Sequence, residues 1–368
     1  MVFENVFNPH YWAVVPFHFW SLVFFTFGCM IGSFLNVCIY RMPLDLSVVT
    51  PPSHCPHCKY AIPFYLNIPL LTWLSLRGKC KNCGAPISPR YFAVELLTGL
   101  AFLACWLVFG QQSPWIAAVY CLFLAGLITA TFIDFEHFII PDEITLGGAV
   151  VGFVISFLLP QLHGAATAGQ GMMRGAIGIA VGGGMVYAVL RLGKLLFGRQ
   201  KIKLPGATKV IFTETTLCLP GEEIPYEEIF YRKSDTIVLD AQRVELIDRS
   251  YGASKLRLSP AALRIGDEKM DPETVPHIEV ICTEVVLPRE AMGLGDVKFM
   301  AAIGAFIGWQ GAVFSLMASS LIGSVVGIAL IAAHKRAWSS RMPYGPYIAL
   351  AAVIWIFGGS KWFQALFP

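Results

Sequence analysis

Charge is what this sequence has least of. Charged residues fill 14% of its 368 positions and hydrophobic ones 56%, whereas a soluble domain carries about 25% charged residues. The apolar residues run in stretches long enough to cross a hydrocarbon core of about 30 Å. A net charge of +3, with no dense basic patch, excludes nucleic acid as a partner. HExxH is absent, which argues against a zinc metalloprotease. No Gly-rich nucleotide loop opens a helix: Gly182-Gly183-Gly184 lacks a polar phosphate-binding context and reads as a site of close helix packing. No repeat of fixed period is present. A removable signal peptide is missing too, since the first apolar stretch, residues 11–40, far exceeds a signal core of about 7–15 residues.

What is there reads as an α-helical polytopic membrane protein of about eight transmembrane helices. By length and scarcity of charge they fall near residues 17–39, 91–109, 115–133, 144–159, 175–197, 297–309, 312–333 and 344–367. The division is a first helix in 1–40, a Cys-bearing segment in 41–90, helices two to five in 91–197, a β-rich insert in 198–290, and helices six to eight in 291–368. Lys and Arg set the orientation. Arg41, Lys59, Arg77, Lys79, Lys81 and Arg90 lie on one side, with Arg199, Lys201, Lys203, Lys335, Arg336 and Arg341. The opposite loops, near 111–114, 161–171 and 308–311, have none. Both termini are therefore expected outside, with the Cys segment, residues 134–142 and the insert in the cytoplasm. In the insert, KVIFTETTLCL, DTIVLD and HIEVICTEVVL are β-branched and partly alternating, which favours strands. Pro205-Gly206, Pro220-Gly221 and Tyr251-Gly252 are expected breaks. Cys218 and Cys282 read as ordinary buried cysteines.

Cys55-Pro-His-Cys58 and Cys80-Lys-Asn-Cys83 form two CxxC knuckles separated by 21 residues. Tetrahedral zinc takes four soft donors, and each such turn presents two thiolates toward one point. The spacing is slightly wider than the about 15–20 residues of a zinc ribbon. Two disulfides are the alternative, disfavoured in a reducing cytoplasm. With four protein ligands the zinc is structural, with no open position for a catalytic water. His54 and His57, beside the ligands, read as surface histidines. Cys29, Cys38, Cys105 and Cys121 lie in apolar spans and read as inert.

Two aspartates stand at span boundaries, Asp134 in TFIDFEHFIIPDEIT and Asp296 in MGLGDVKFM. An ionisable residue at a membrane boundary is a functional candidate. Facing each other, two carboxyls share one proton, and the pair can hold and activate a water. The plainer reading makes Asp296 an N-cap, and for Asp142, after Pro141, the cap is favoured. Gly293 and Gly295 tilt the balance for Asp296, because glycine permits unusual backbone and close approach of an extended substrate. Glu136 and His137 are expected to face the headgroups. Glu136, Asp142 and Glu143 are acidic groups able to hold a basic partner.

Taken together these motifs resemble the type IV prepilin peptidases, also called prepilin leader peptidases/N-methyltransferases. GSFLNVCIYRMP (residues 32–43), the Cys-bearing region from Cys55 onward, IDFEHFIIPD, GLGDVK and MPYGPYIALAA look like that family's motifs in order. The resemblance implies an aspartic protease of the GxGD type with Asp134 and Asp296 as its pair. Gly293, Gly295, Glu136 and Asp142 would support the motifs. It implies cleavage after Gly at the end of a basic leader, on prepilins and pseudopilins, at the cytoplasmic face of the inner membrane beside its lipids. It also implies N-methylation of the new terminus with S-adenosylmethionine, associated with residues 51–95, where Arg90 and Glu95 are possible contributors. One departure is the roughly 90 residues before GLGD, where the family has a short loop. From other classes, a transporter would place its carboxylates near the midplane in broken helices. A zinc-dependent sensor would leave GLGD and IDFEH unexplained.

Overall fold

The computed structural model describes residues 16–197, 199–230, 235–288, 293–333 and 342–366. It divides into two compact units, one of Met1–Tyr187 with Leu294–Pro368 and one of Ala188–Gly293. Lys335, Arg336 and Arg341, used above for orientation, lie outside the described residues, as do Gly198, Arg289, Glu290 and Phe367.

The first unit is helical. Its main helices are α1 (Phe17–Arg41), α2 (Pro89–Phe109), α3 (Pro114–His137), α4 (Asp142–Leu158), α5 (Ala168–Phe197, which runs on into the second unit), α6 (Leu294–Ala332) and α7 (Gly345–Ile354). Both α2 and α3 begin on a Ser-Pro pair: Ser88 and Ser113 accept the N–H of Arg90 and of Ile116, and the proline takes a position that needs no donor. In α1, Arg41 ends the helix and turns its buried guanidinium onto the Ser47 and Pro51 carbonyls, at 2.9 and 2.6 Å.

Small residues set the helix crossings, as expected where no water drives apolar surfaces together. A Cβ on Gly32 of α1 would stand 2.7 Å from the Glu95 Cα of α2. One on Gly178 of α5 would stand 2.0 Å from the Gly304 carbonyl oxygen of α6. The second case explains part of the glycine run in α5, where Gly182 likewise meets the Met300 carbonyl.

Six described helices are long and apolar enough to cross a membrane. They comprise α1 to α3, α5, α6 and the Gly345–Phe363 segment, while α4 is 17 residues long. The expected loop at 308–311 is a break inside α6 instead: Gly308 has φ 73° and ψ 177°, and the helix resumes directly beyond it. The left-handed φ is open to glycine at little cost, so the interruption falls on that residue.

The second unit is a nine-stranded antiparallel sheet in the order β3-β2-β1-β9-β4-β6-β7-β8, with β5 on β4. The strands are β1 (Arg199–Phe212), β2 (Thr216–Leu219), β3 (Glu222–Pro225), β4 (Ile237–Leu246), β5 (Ser250–Tyr251), β6 (Ser254–Ser259), β7 (Ala262–Ile265), β8 (Glu268–Met270) and β9 (Ile278–Pro288). Alternation puts Ile237, Leu239 and Ala241 of β4 into the core with Val210, Leu256, Leu263 and Val280, and a register shift between Ala241 and Arg243 brings Val244 in after them. Of the three segments expected as strands, DTIVLD and HIEVICTEVVL fall in β4 and β9, whereas KVIFTETTLCL is the end of β1 and all of β2 with a turn at 213–215 between them. Pro220-Gly221 is a true turn, with Gly221 at φ 84°. Pro205-Gly206 is not a break: β1 runs through it, and its pairing with β9 shifts register between Lys203 and Thr208. A bulge absorbs the proline's missing donor and the glycine's φ of 78° without ending the strand. Cys282 is fully buried, whereas Cys218 is half-buried.

Candidate active site

The end of α3 is built to present Asp134. Phe138 takes a left-handed conformation (φ 56°), and its N–H closes on the Asp134 carbonyl at 3.0 Å. The chain then turns through Ile139 and Ile140 into Pro141 and α4. The Asp134 side chain points inward and is 5% exposed. Its Oδ2 accepts the backbone N–H of Gly345, the first residue of α7, at 2.8 Å. A Cβ on Gly345 would lie 2.8 Å from that same oxygen. The residue is glycine because the carboxyl occupies the space a side chain needs.

Asp296 lies in the first turn of α6, inside the helix and not at its N-cap. Asp134 and Asp296 are within electrostatic reach of one another. Each also stands at a helix N-terminus, α7 for Asp134 and α6 for Asp296, where exposed N–H groups and the macrodipole favour negative charge.

The surrounding polar residues tie the two motifs together. Lys298, two residues beyond Asp296, donates to both Asp142 carboxyl oxygens, at 2.7 and 2.9 Å. Pro141 holds the N-cap position of α4 and Asp142 makes no capping bond, so the cap expected of Asp142 gives way to an ion pair across the motifs. Glu136 pairs with Arg90, joining the end of α3 to the start of α2. His137 is exposed. Gly293 precedes α6 directly. Gly295 sits within its first turn without a left-handed φ, and a Cβ there would meet Ile140 at an ordinary 3.7 Å. The tight glycine of the site is therefore Gly345 and not Gly295.

The four cysteines converge. Their sulfurs lie within 4.8 Å of one another, with Cys55–Cys83 at 3.8 Å and Cys58–Cys80 at 4.0 Å. A tetrahedral ion with Zn–S bonds of about 2.3 Å sets sulfurs about 3.8 Å apart. The two knuckles repeat one design. The Lys59 and Gly84 N–H groups close on the Cys55 and Cys80 carbonyls at 2.9 Å, both residues have positive φ (57° and 71°), and short bridges His54–Ala61 and Lys79–Pro86 seal each loop. The Asn82 amide, then the Tyr60 backbone N–H, hold the Cys58 thiol down at about 6. Cys80 is lowered by the N–H groups of Cys83 and Asn82. Cys83 goes up to about 12: the Ala85 N–H pulls it down, but burial and the neighbouring sulfurs outweigh that. Four thiolates this close need a cation, and the donor set fits zinc.

Arg90 and Glu95 are both engaged within the fold. Glu95 is buried, accepts a bond from Ser33, and accepts the Leu70 N–H at 2.7 Å. Leu70 itself is held at φ 60°, ψ −53°, with the Leu71 N–H on the Pro69 carbonyl at 2.6 Å, a tight γ-turn. The Glu95 contacts anchor the Cys-bearing segment to α1 and α2, while Arg90 keeps a buried Nε with no hydrogen-bond partner among the described residues.

Sequence reasoning missed Gly345, Lys298 and the Arg90–Glu136 pair. The one local signal was the Gly-Pro at the start of the last span, which marks a helix beginning that has no room for a Cβ.

Comparison with known proteins agrees with this layout. Residues 26–109 match the bacterial peptidase A24 N-terminal domain. Residues 121–208 and 277–328 match the type IV leader peptidase family, and the intervening 209–276 fall in the sheet. A prepilin leader peptidase/N-methyltransferase of Myxococcus xanthus is 46% identical over 139 residues, 38% of this chain and 41% of that protein. Proteins of the same name from Aeromonas hydrophila and Dichelobacter nodosus are 28% and 33% identical. The first alignment covers 96% of both chains; the second covers 47% of this one and 67% of the relative. No solved structure matches.

Proposed function

The chain belongs to the type IV leader peptidase family, and from that premise we propose that it is a multi-pass inner-membrane aspartic protease of the GxGD type. It removes the basic leader of type IV prepilins and pseudopilins after Gly, at the cytoplasmic face. The observation that carries this is that Asp134 and Asp296, from motifs far apart in sequence, lie within electrostatic reach of one another, with Asp134 pinned by Gly345.

One carboxyl of such a pair is charged and the other protonated. The charged one takes a proton from a water held between them, and the hydroxide adds to the carbonyl carbon of the scissile peptide. The protonated one gives its proton to the carbonyl oxygen. As the C–N bond breaks, the proton taken from water passes to the departing amine, a hydroxyl of the tetrahedral intermediate returns its proton to the second carboxylate as the C=O bond re-forms, and the pair regains its starting charge. Lys298–Asp142 and Arg90–Glu136 hold the helix ends that carry the pair.

Eight crossings follow when α6 is counted twice about Gly308 and α4 once. That arrangement sets both termini outside and puts the pair and the cysteines at the cytoplasmic surface. Zinc, held by Cys55, Cys58, Cys80 and Cys83, braces the segment between α1 and α2. Bound there it supplies structure, since all four positions belong to the protein. The relatives' names add N-methylation, which the proposal includes as a second activity with S-adenosylmethionine as methyl donor.

Purified wild-type, Asp134→Asn and Asp296→Asn proteins incubated with a prepilin test the pair. The wild type converts the precursor to the shorter form on a gel, and neither variant does. Turnover by either variant at normal expression overturns the assignment.

A further inference from the structure

One line of residues crosses the outward face of the sheet. Val238 of β4 pairs with Val286 of β9 on one side and with Arg257 of β6 on the other. The line continues from Val286 to Lys201 of β1, and from Arg257 through Arg264 of β7 to Lys269 of β8. Residues directly opposite one another share a face, and the alternate residues Leu239, Leu256, Leu258, Leu263 and Ile265 point into the core. Arg257, Arg264 and Lys269 thus stand side by side and exposed on three adjoining strands, over about 10 Å at about 4.8 Å per strand. In sequence they are scattered singly, and only the pairing makes them a group.

Like charges directly opposite one another destabilise a sheet, so the arrangement costs stability at two junctions, Arg257 with Arg264 and Arg264 with Lys269. Elsewhere on the sheet Lys201 has Glu284, Lys209 has Glu279, Arg243 has Glu245 and Lys255 has Asp240. Arg257, Arg264 and Lys269 have no hydrogen-bond or ion-pair partner among the described residues.

The row also lies at one end of the sheet. Lys201 is the third residue of β1, Val238 the second of β4 and Arg264 the third of β7, while Val286 and Arg257 are third from the ends of β9 and β6. At this end the chain arrives from α5 and departs toward α6. Lys194, in the last turn of α5, pairs with the buried Asp235 just before β4, at 3.8 Å. The helix that joins the sheet here is one of those long and apolar enough to cross a membrane. Hairpins at the opposite end carry the exposed acids Glu214, Asp248 and Asp267, whereas the turn between β6 and β7 beside the row, residues 259–262, carries no charge. Lys201 and its row begin about 7 Å of strand from Arg199, the first residue of β1, inside a Debye length of about 10 Å. At such a range each Lys or Arg strengthens binding to an anionic membrane about fivefold.

We propose that Arg257, Arg264 and Lys269 dock on the anionic headgroups of the membrane that α5 crosses, as a ridge that holds the sheet to that surface. Lipid phosphates supply the counter-charge that the sheet itself withholds. A soluble acidic protein would carry the same charge, but the row sits at the tethered end, where lipid is always within reach. The inference rests on the multi-pass reading of the helical unit and makes no use of the carboxyl pair.

The test uses the full chain in nanodiscs of phosphatidylcholine alone or of an equal mix with phosphatidylglycerol. Phenylglyoxal labels arginines and an acetylating reagent labels lysines, and mass spectrometry reads the rate at each residue. Arg257, Arg264 and Lys269 should react about fivefold or more slowly in the mixed discs. That protection should vanish near 1 M salt, where the Debye length falls to about 3 Å. Lys209, toward the far end of β1, should react at one rate in both discs. Arg264→Gln should cut the protection of Arg257 and Lys269 about fivefold and leave their rates in neutral discs unchanged, which shows the sheet intact. Equal rates for the row in both discs overturn the ridge and leave these charges to a soluble acidic partner. Slowing of Lys209 to the same degree also overturns it, because the membrane's general field would then account for the row. A chain that enters neither disc instead overturns the multi-pass reading, and the ridge with it.

Discussion

In the helical unit large apolar side chains face outward: Leu22 is 62% exposed, Leu158 69% and Leu321 68%. The crossings between its helices are made by glycine and alanine. In the sheet the positions are reversed, with Leu217, Leu256 and Leu263 fully buried and Lys209, Arg243 and Lys255 turned outward into ion pairs. The same side chain types thus mark the outside of one unit and the inside of the other. A bilayer covers the first, so its interior is free to be small and polar enough to hold two carboxyls. Water covers the second, so its interior must supply the hydrophobic driving force itself. Large-to-small changes should therefore wound the sheet, and small-to-large changes the bundle.

Leu256→Ala should have the largest effect, costing the sheet about 3 kcal/mol. Hydrogen exchange along β4, β6 and β9 in the full chain should speed up while prepilin cleavage holds at the wild-type rate. A parallel fall in cleavage would break the separation between the units. The bundle is probed in the opposite sense by Gly345→Ala. Its methyl group displaces the Asp134 carboxyl, and kcat should fall about tenfold, equal to about 1.4 kcal/mol, with little change in melting temperature. Full activity in this variant would remove Gly345 from the site. The Cys-bearing segment relies on neither kind of burial, and there the smallest effect is expected. Lys59→Gly relieves the left-handed strain that Gly84 avoids in the matching knuckle. It should raise stability by about 0.5 kcal/mol, measured as a higher chelator concentration for zinc release. A lower concentration would refute the equivalence of the two turns.

Features carried by nearby residues were legible in the sequence. The CxxC pairs fix donor type and spacing within four positions, and the aspartate motifs mark span boundaries by a change of polarity. Long β-branched runs gave β1, β4 and β9. Features made by distant residues were not legible: Lys298 and Asp142 are 156 positions apart, and Gly345 and Asp134 are 211. Glycine was the hardest to interpret. At Gly308 it breaks a helix where a loop was expected, at Gly206 it sits in a bulge where a turn was expected, and at Gly295 it is merely helical. One residue type serves close approach, left-handed backbone and plain helix, and its neighbours in sequence do not say which.

The bond from Gly345 to Asp134 has a consequence of its own. A free carboxyl has two interchangeable oxygens and can turn over to exchange them. Here the backbone amide marks one of them, so the two become chemically distinct. An incoming proton finds the unmarked oxygen the better base, and the group has an orientation before any substrate arrives. The start of α7 thereby gives a symmetric side chain a handedness.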